Sequence, residues 1–247
     1  MDKNKAEDYT VASWAGHGKS RDGSWDAGCT YKGYTEAELV LPITKAVNTA
    51  LKRCGFSVVT DADGNKLNMI KQVEKSNAKN VDIHLSFHLD WSEAPKGTYP
   101  ICASNEGKEL ATCINKVVMR ETGMTTRGVL KTDAYYETNA TNMTAVIFEC
   151  GSIKADLKRV QKYKVYGEAI AEGICDYFDV PYVEEEFEVR AKKNLIVRKT
   201  SSLTSKKTGT AKKGTYTIVK VSANGKRGKL KSGLGWITIT DKYCSRV

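Results

Sequence analysis

Histidine is scarce in this 247-residue chain: there are three, in the stretches Trp14-Ala15-Gly16-His17-Gly18-Lys19 and Val81-Asp82-Ile83-His84-Leu85-Ser86-Phe87-His88-Leu89-Asp90. Such economy confines imidazole chemistry, whether metal ligation or acid–base work near neutral pH, to one site. Long apolar runs are missing too. None approaches the roughly 20 residues of a membrane-spanning helix, so no transmembrane segment is expected. The opening residues, Met1 to Asp8, lack the apolar middle of a secretory leader, and the expectation is a soluble product made in the cytoplasm without a signal peptide. Cys-x-x-Cys spacing is absent. Seven cysteines, at 29, 54, 102, 113, 150, 175 and 244, are dispersed and odd in number, which argues against a disulfide framework or a thiolate zinc site. Most sit among apolar neighbours and read as small buried hydrophobes; Cys29, after a Gly in a loop, stands apart.

Acidic residues nearly vanish toward the C-terminus. From Glu188 onward there are 16 Lys and Arg against two acids, so that of 39 bases and 29 acids in all, residues 1–187 hold 23 and 27. The formal net charge of +10 therefore averages a near-neutral body and a strongly basic tail. The length suits one sizeable domain and a small appendage.

Strand-like and helix-like segments alternate through the first 180 residues. Strands are expected over 9–14, 56–60, 81–89 and 144–148, with less regular extended pieces over 98–103 and 129–136. Helices are expected over 35–54, 67–79, 106–121 and 157–178. That alternation predicts an α/β fold, a mostly parallel twisted sheet flanked by helices, over residues 1–179. The irregular, acidic stretch 180–188 reads as a linker. Beyond it, in 189–247, short strand candidates at 194–198, 214–221 and 235–240 predict a small barrel of antiparallel strands.

Geometry separates the histidines. Residues four apart lie about 6 Å from each other on a helix but about 13 Å on a strand. Ile83, Leu85, Phe87 and Leu89 alternate with His84, Ser86 and His88, which marks a strand, so His84 and His88 cannot share one ion. Sites in open α/β sheets collect at the carboxyl ends of strands. His88 is at such an end, His17 follows another, and His84 in mid-strand reads as a core histidine. A third ligand is sought on a neighbouring helix, since catalytic zinc sites typically use three protein ligands. Glu36 lines up with Val40, Ile43, Val47 and Leu51, the apolar face of its helix, whereas Glu38 shares the polar face with Lys45 and Lys52. A carboxylate on a buried face needs a partner, which makes Glu36 the candidate ligand and Glu38 a solvated first-turn acid. Glu149 is also out of place, directly after the apolar run Ala145-Val146-Ile147-Phe148. By position it is either the partner of a nearby base or a general acid–base. The presence of a metal-ligand set favours the second.

These residues together resemble one family, the zinc-dependent N-acetylmuramoyl-L-alanine amidases of bacterial autolysins and phage endolysins. The resemblance rests on Gly16-His17-Gly18, Asp26-Ala27-Gly28-Cys29, Gly33-Tyr34-Thr35-Glu36-Ala37-Glu38-Leu39, His84 to Asp90, and Val146-Ile147-Phe148-Glu149-Cys150-Gly151. It implies zinc bound by His17, Glu36 and His88, with Glu149 catalytic, and hydrolysis of the amide between N-acetylmuramic acid and the first L-Ala of the stem peptide. The tail resembles a bacterial SH3-like domain in Asn194-Leu195-Ile196-Val197-Arg198, Ala211-Lys212-Lys213-Gly214-Thr215 and Gly235-Trp236-Ile237. That implies a binding module for the peptidoglycan of Gram-positive walls, with anionic wall polymers attracted by the same charge. Without a leader, the expected setting is a phage or prophage endolysin acting on the wall after release. Two other readings compete: a zinc peptidase cutting inside the stem peptide, and, because clustered Lys and Arg bind phosphate, a nucleic-acid-binding protein. The tail carries few aromatics for base stacking and no nucleic-acid motif, so nucleic acid is not the expected partner.

Overall fold

The computed structural model describes residues 5–222 and 225–247. The reading of the opening residues as leaderless falls in part on residues 1–4, outside the described ones. Two units are resolved, divided between Tyr182 and Val183. No helix among the described residues is long and apolar enough to cross a membrane.

The N-terminal unit runs β1 (Thr10–Ala15), β2 (Gly18–Lys19), β3 (Trp25–Asp26), β4 (Thr30–Tyr31), β5 (Tyr34–Thr35), α1 (Glu36–Cys54), β6 (Ser57–Val59), α2 (Met69–Ala78), β7 (Ile83–Asp90), β8 (Tyr99–Cys102), α3 (Asn105–Thr122), β9 (Leu130–Lys131), α4 (Tyr136–Asn139), β10 (Thr144–Ser152), α5 (Leu157–Val160) and α6 (Tyr163–Phe178). Its main sheet has the order β6-β1-β7-β10-β8-β9. The first four strands are mutually parallel, which places the carboxyl ends of β1, β7 and β10 together. Against the expected mostly parallel sheet, β8 runs antiparallel to β10, and the sheet is mixed. The reason is chain length. Only residues 91–98 join β7 to β8, fewer than the dozen or so that a parallel crossover needs.

Both faces of the sheet are covered. Ile83, Leu85, Phe87 and Leu89 of β7 enter one large core with Val40, Ile43, Val47 and Leu51 of α1, Ile114 of α3 and Ile174 of α6. On the opposite face Ala12 and Trp14 of β1 form a smaller cluster with Val81. Thr35 caps helix α1: its hydroxyl accepts from Glu38 N–H while the Glu38 carboxylate reaches back to Thr35 N–H, a capping box that ties up two of the helix's free donors.

Three boundaries differ from expectation. Of the extended stretch 129–136 only Leu130–Lys131 is strand, and Tyr136 opens the one-turn helix α4. The closing helix is broken into α5 and α6. Val160 and Tyr166 are both fully buried, yet six residues on an unbroken helix would turn them about 120° apart. The expected linker ends early, because Phe187 and Glu188 already belong to a strand.

The C-terminal unit comprises β11 (Phe187–Ala191), β12 (Leu195–Arg198), β13 (Lys207–Ala211), β14 (Gly214–Val221), β15 (Arg227–Leu230), β16 (Trp236–Thr238) and β17 (Cys244–Arg246). Together they make one antiparallel sheet in the order β13-β12-β16-β15-β14-β11-β17. Val189, Leu195, Val197, Ile218, Leu230 and Ile237 form its own core. Among the described residues no ladder joins β13 to β17, so the sheet is not the closed barrel expected.

Candidate metal centre and active site

Three elements converge at the carboxyl end of β1 and β7. His17 follows β1 with φ +60, a left-handed backbone that non-glycine residues rarely hold. Glu36 is the first residue of α1, 3% exposed, and His88 is the sixth residue of β7. Glu36 Oε1 lies 3.1 Å from His17 Nε2 and 3.0 Å from His88 Nδ1. One ligand atom from each of the three falls within 4.8 Å of the others. Two imidazoles and a carboxylate at this spacing form a donor set suited to a divalent ion such as zinc.

The glycines around the site are there for space. A Cβ on Gly16 would sit 2.2 Å from the His88 ring, and one on Gly28 would meet both Glu36 and His17 at 2.7 Å, where φ is +67 in any case. The backbone finishes the cradle: Leu89 N–H donates to Glu36 Oε1 at 2.9 Å and Cys29 N–H to Oε2 at 3.1 Å. Burial opposes the Glu36 charge, yet the hydrogen bonds from His17 and His88 hold its carboxyl well below the usual carboxylate range. His88 shows the reverse balance. Burial opposes its protonation, and the neighbouring Glu137 and Glu36 carboxylates outweigh it, raising the imidazole well above its ordinary value.

Glu149 is the register partner of His88 across the β10–β7 ladder. Its Oε2 is buried and has no hydrogen-bond partner, and burial, reinforced by Glu36 and Asp90, pushes its carboxyl up to about 7. A carboxyl that titrates near neutrality beside a candidate cation site can both take and give a proton. Next to Glu149, Asp90 is held by Arg127 Nη2 at 2.7 Å.

His84 is not brought to this group. It is fully buried in mid-strand, its Nδ1 2.9 Å from Ser76 Oγ, and burial lowers its pKa to about 4. Glu38 is occupied at the N-cap of α1, and its carboxylate lies 2.9 Å from Thr35 Oγ1.

Residues 14–176 match the profile of Amidase_3, N-acetylmuramoyl-L-alanine amidase, which takes in all four residues of the group just described. The chain belongs to this amidase family. It is 30% identical over 186 residues to N-acetylmuramoyl-L-alanine amidase LytC of Bacillus subtilis, an alignment covering 70% of this chain but 36% of LytC. YqiI of the same organism, an uncharacterized protein, is 29% identical over 184 residues, 70% of this chain and 86% of its own length. The fold is that of N-acetylmuramoyl-L-alanine amidase AmiC2 of Nostoc punctiforme, with a TM-score of 0.63 at 23% identity over 71% of this chain and 99% of the other.

The candidate site contains two further carboxylates, not assigned from the sequence. Asp26, within the Asp26-Ala27-Gly28-Cys29 loop, places Oδ2 2.8 Å from His17 Nδ1 and accepts from Gly28 N–H. Glu137, on α4, is 7% exposed and lies 3.6 Å from His88 Nε2. Burial opposes its charge, and the imidazole of His88 facing it holds its carboxyl down at about 2. Asp26 was recoverable as the acid of a quoted motif. Glu137 carries no local signature. Both line a pocket of about 240 Å³ together with His17, His88, Lys19, Arg21 and Ile70.

Proposed function

We infer that this protein hydrolyses peptidoglycan at the amide joining the lactyl group of N-acetylmuramic acid to the first L-Ala of the stem peptide. In this reading His17, Glu36 and His88 hold a zinc ion and Glu149 is the acid–base. The observation that carries the reading is the convergence of those four residues, from four separate elements, at one end of an amidase-family sheet. Bound there, zinc supplies a Lewis acid for the scissile carbonyl and for water at neutral pH.

The chain's own residues do the rest. Glu36, pinned by two backbone N–H groups, presents a fixed, ionised oxygen between the two imidazoles. Asp26 spends its carboxylate on the outer nitrogen of His17 and so orients that ring. Glu149 takes the proton of the attacking water at its free Oε2 and returns a proton to the leaving amine, a cycle suited to a carboxyl that titrates near 7.

For the C-terminal unit we propose an SH3-like, wall-binding role, with residues 1–179 as catalytic domain, a linker from residue 180 that gives way to strand at Phe187, and the rest of the chain as binding domain. Its basic composition favours Gram-positive peptidoglycan decorated with anionic polymers, and for the whole chain we propose an endolysin-type lytic role, on the family membership of its N-terminal unit. Mass spectrometry of digested walls tests the reaction. Fragments with free L-Ala amino termini and intact glycan strands are expected; cleavage confined to the interior of the peptide would replace this reading with that of a stem peptidase.

A further inference from the structure

A second pocket of the N-terminal unit lies between the β4–β5 hairpin and the segment that follows β10, and it shares no lining residue with the pocket beside His17 and His88. It has a volume of about 340 Å³. Lys32, Lys154, Lys158 and Arg159 supply its cations, while Tyr31 and Leu157 give it apolar wall. Its lining acid, Asp156, is buried and accepts from Gly97 N–H at 2.8 Å and Ser152 N–H at 3.1 Å. Lys154 pairs with the exposed Glu93 at 2.9 Å, and Arg159 lies 3.8 Å from Asp156. Lys32 and Lys158 have no carboxylate partner among the described residues. The pocket therefore holds positive charge that the protein does not itself neutralise.

Lys32 is also unusual for its backbone. Tyr31 pairs with Tyr34, so Lys32-Gly33 closes a two-residue hairpin with φ +48 and +82, a turn that favours Asn or Asp at its first position. What lysine adds there is an ammonium group at the pocket.

Both walls continue elements of the candidate active site. Lys32 comes four residues before Glu36 and Lys154 five after Glu149, so their Cα atoms lie within about 14 Å and about 18 Å of those two glutamates. A lysine side chain and two or three extended substrate residues cover such a span.

We propose that this pocket is a carboxylate subsite, which takes the free carboxylate of an acidic residue of the stem peptide one or two positions beyond the L-Ala whose amide is cut. The inference rests on the amidase reading of the centre. A peptide carboxylate suits the pocket better than the phosphate of a wall polymer: it is joined covalently to the bond being cut, and it brings an apolar stem for Tyr31 and Leu157.

The test compares kcat and KM of the full chain on two soluble muramoyl peptides that differ only in whether the acidic residue after L-Ala carries a free carboxylate or its amide. The wild type is expected to favour the free acid by about threefold to tenfold in kcat/KM, mostly through KM, as two exposed cations allow. In the double variant Lys32→Asn, Lys158→Ala, where Asn suits the left-handed turn, this ratio is expected to fall to about 1; a general loss of folded enzyme leaves a ratio untouched. A variant of matched charge, Lys108→Ala with Lys116→Ala, neither of which lines the pocket, is expected to keep the preference. Equal cleavage of both peptides by the wild type, or a preference that survives in the pocket variant, overturns this inference alone. So does a preference lost equally in the matched variant, which would show the effect of overall charge. If the wild type shows no preference but cleaves walls carrying anionic polymer faster than stripped walls, and the pocket variant does not, the occupant is phosphate and the carboxylate assignment fails. A wild type that cuts neither peptide before L-Ala overturns the amidase reading and this inference with it.

Discussion

Glu149 and His88 stand side by side on adjacent parallel strands, register partners at the end of the β10–β7 ladder. The strand pairing alone brings the candidate acid–base against the candidate metal ligand, so their chemistry can be separated by substitution. Glu149→Gln keeps the side-chain shape and removes the titrating proton. It is expected to lower kcat by about 10²–10⁴-fold while zinc binding stays intact. Loss of zinc in this variant, measured by metal analysis of the purified protein, would make Glu149 a ligand instead.

Two glutamates two residues apart on one helix should behave as opposites. Glu36→Ala removes a buried oxygen shared by both imidazoles and is expected to abolish zinc binding and amidase activity together. Glu38→Ala should keep both and lose only its share of the capping box, roughly 0.5–1 kcal/mol of stability by denaturant unfolding. The reverse pattern would contradict the helix phase seen in α1.

That phase was readable from the sequence, as was the alternation that sets His84 apart from His88, because both follow from short-range periodicity on elements long enough to repeat. Glu137 was not readable. It sits on a single helical turn, too short to show a period, after two tyrosines that favour extended structure, and its contact with His88 spans 49 positions of sequence. The direction of β8 was hidden for a related reason: strand polarity depends on the length of a connection, and no residue pattern within the strand encodes it. In the C-terminal unit β11, β13, β15 and β17 went unread; β13 buries only Ala211 among Lys and Thr, and β15 buries Arg227 and Gly228, which carry no apolar signal.

Gly16 tests how closely the His88 ring is fitted. Its φ lies outside the left-handed region, so alanine suits the backbone, but the new Cβ would come within 2.2–2.5 Å of three atoms of the imidazole. The ring must move. Gly16→Ala is expected to lose zinc affinity and activity while retaining cooperative unfolding; wild-type metal binding in this variant would show that the His88 position tolerates displacement.

His84 gives the pH dependence of stability. Its pKa falls from 6.5 unfolded to about 4 folded because burial penalises the charged ring. Below pH 6.5 the unfolded chain binds a proton that the folded chain refuses until about pH 4, so stability is fully present above 6.5 and is lost as pH falls through this window. A shift of that size amounts to about 3 kcal/mol between pH 7 and pH 4. His84→Gln should flatten this part of the curve, seen as a smaller drop in the urea midpoint between the two pH values. Parallel curves for wild type and variant would show that His84 does not titrate differently on folding.

The basic unit should bind walls through its charge. Residues 183–247 carry 16 Lys and Arg against five acids, three of which, Glu184, Glu185 and Glu186, are already engaged by Lys220, Arg246 and Lys231 within the same unit. Because this unit has its own apolar core, it can be produced alone. It is expected to sediment with purified Gram-positive walls at about 0.1 M salt and to be released near 1 M, where charges more than about 3 Å apart are screened. Walls stripped of anionic polymer separate the two contributions: retention there would mean direct recognition of peptidoglycan, and loss would mean that charge alone holds the unit. If the unit stays on DNA but not on walls of either kind, wall targeting is wrong and the nucleic-acid reading of its Lys and Arg takes its place.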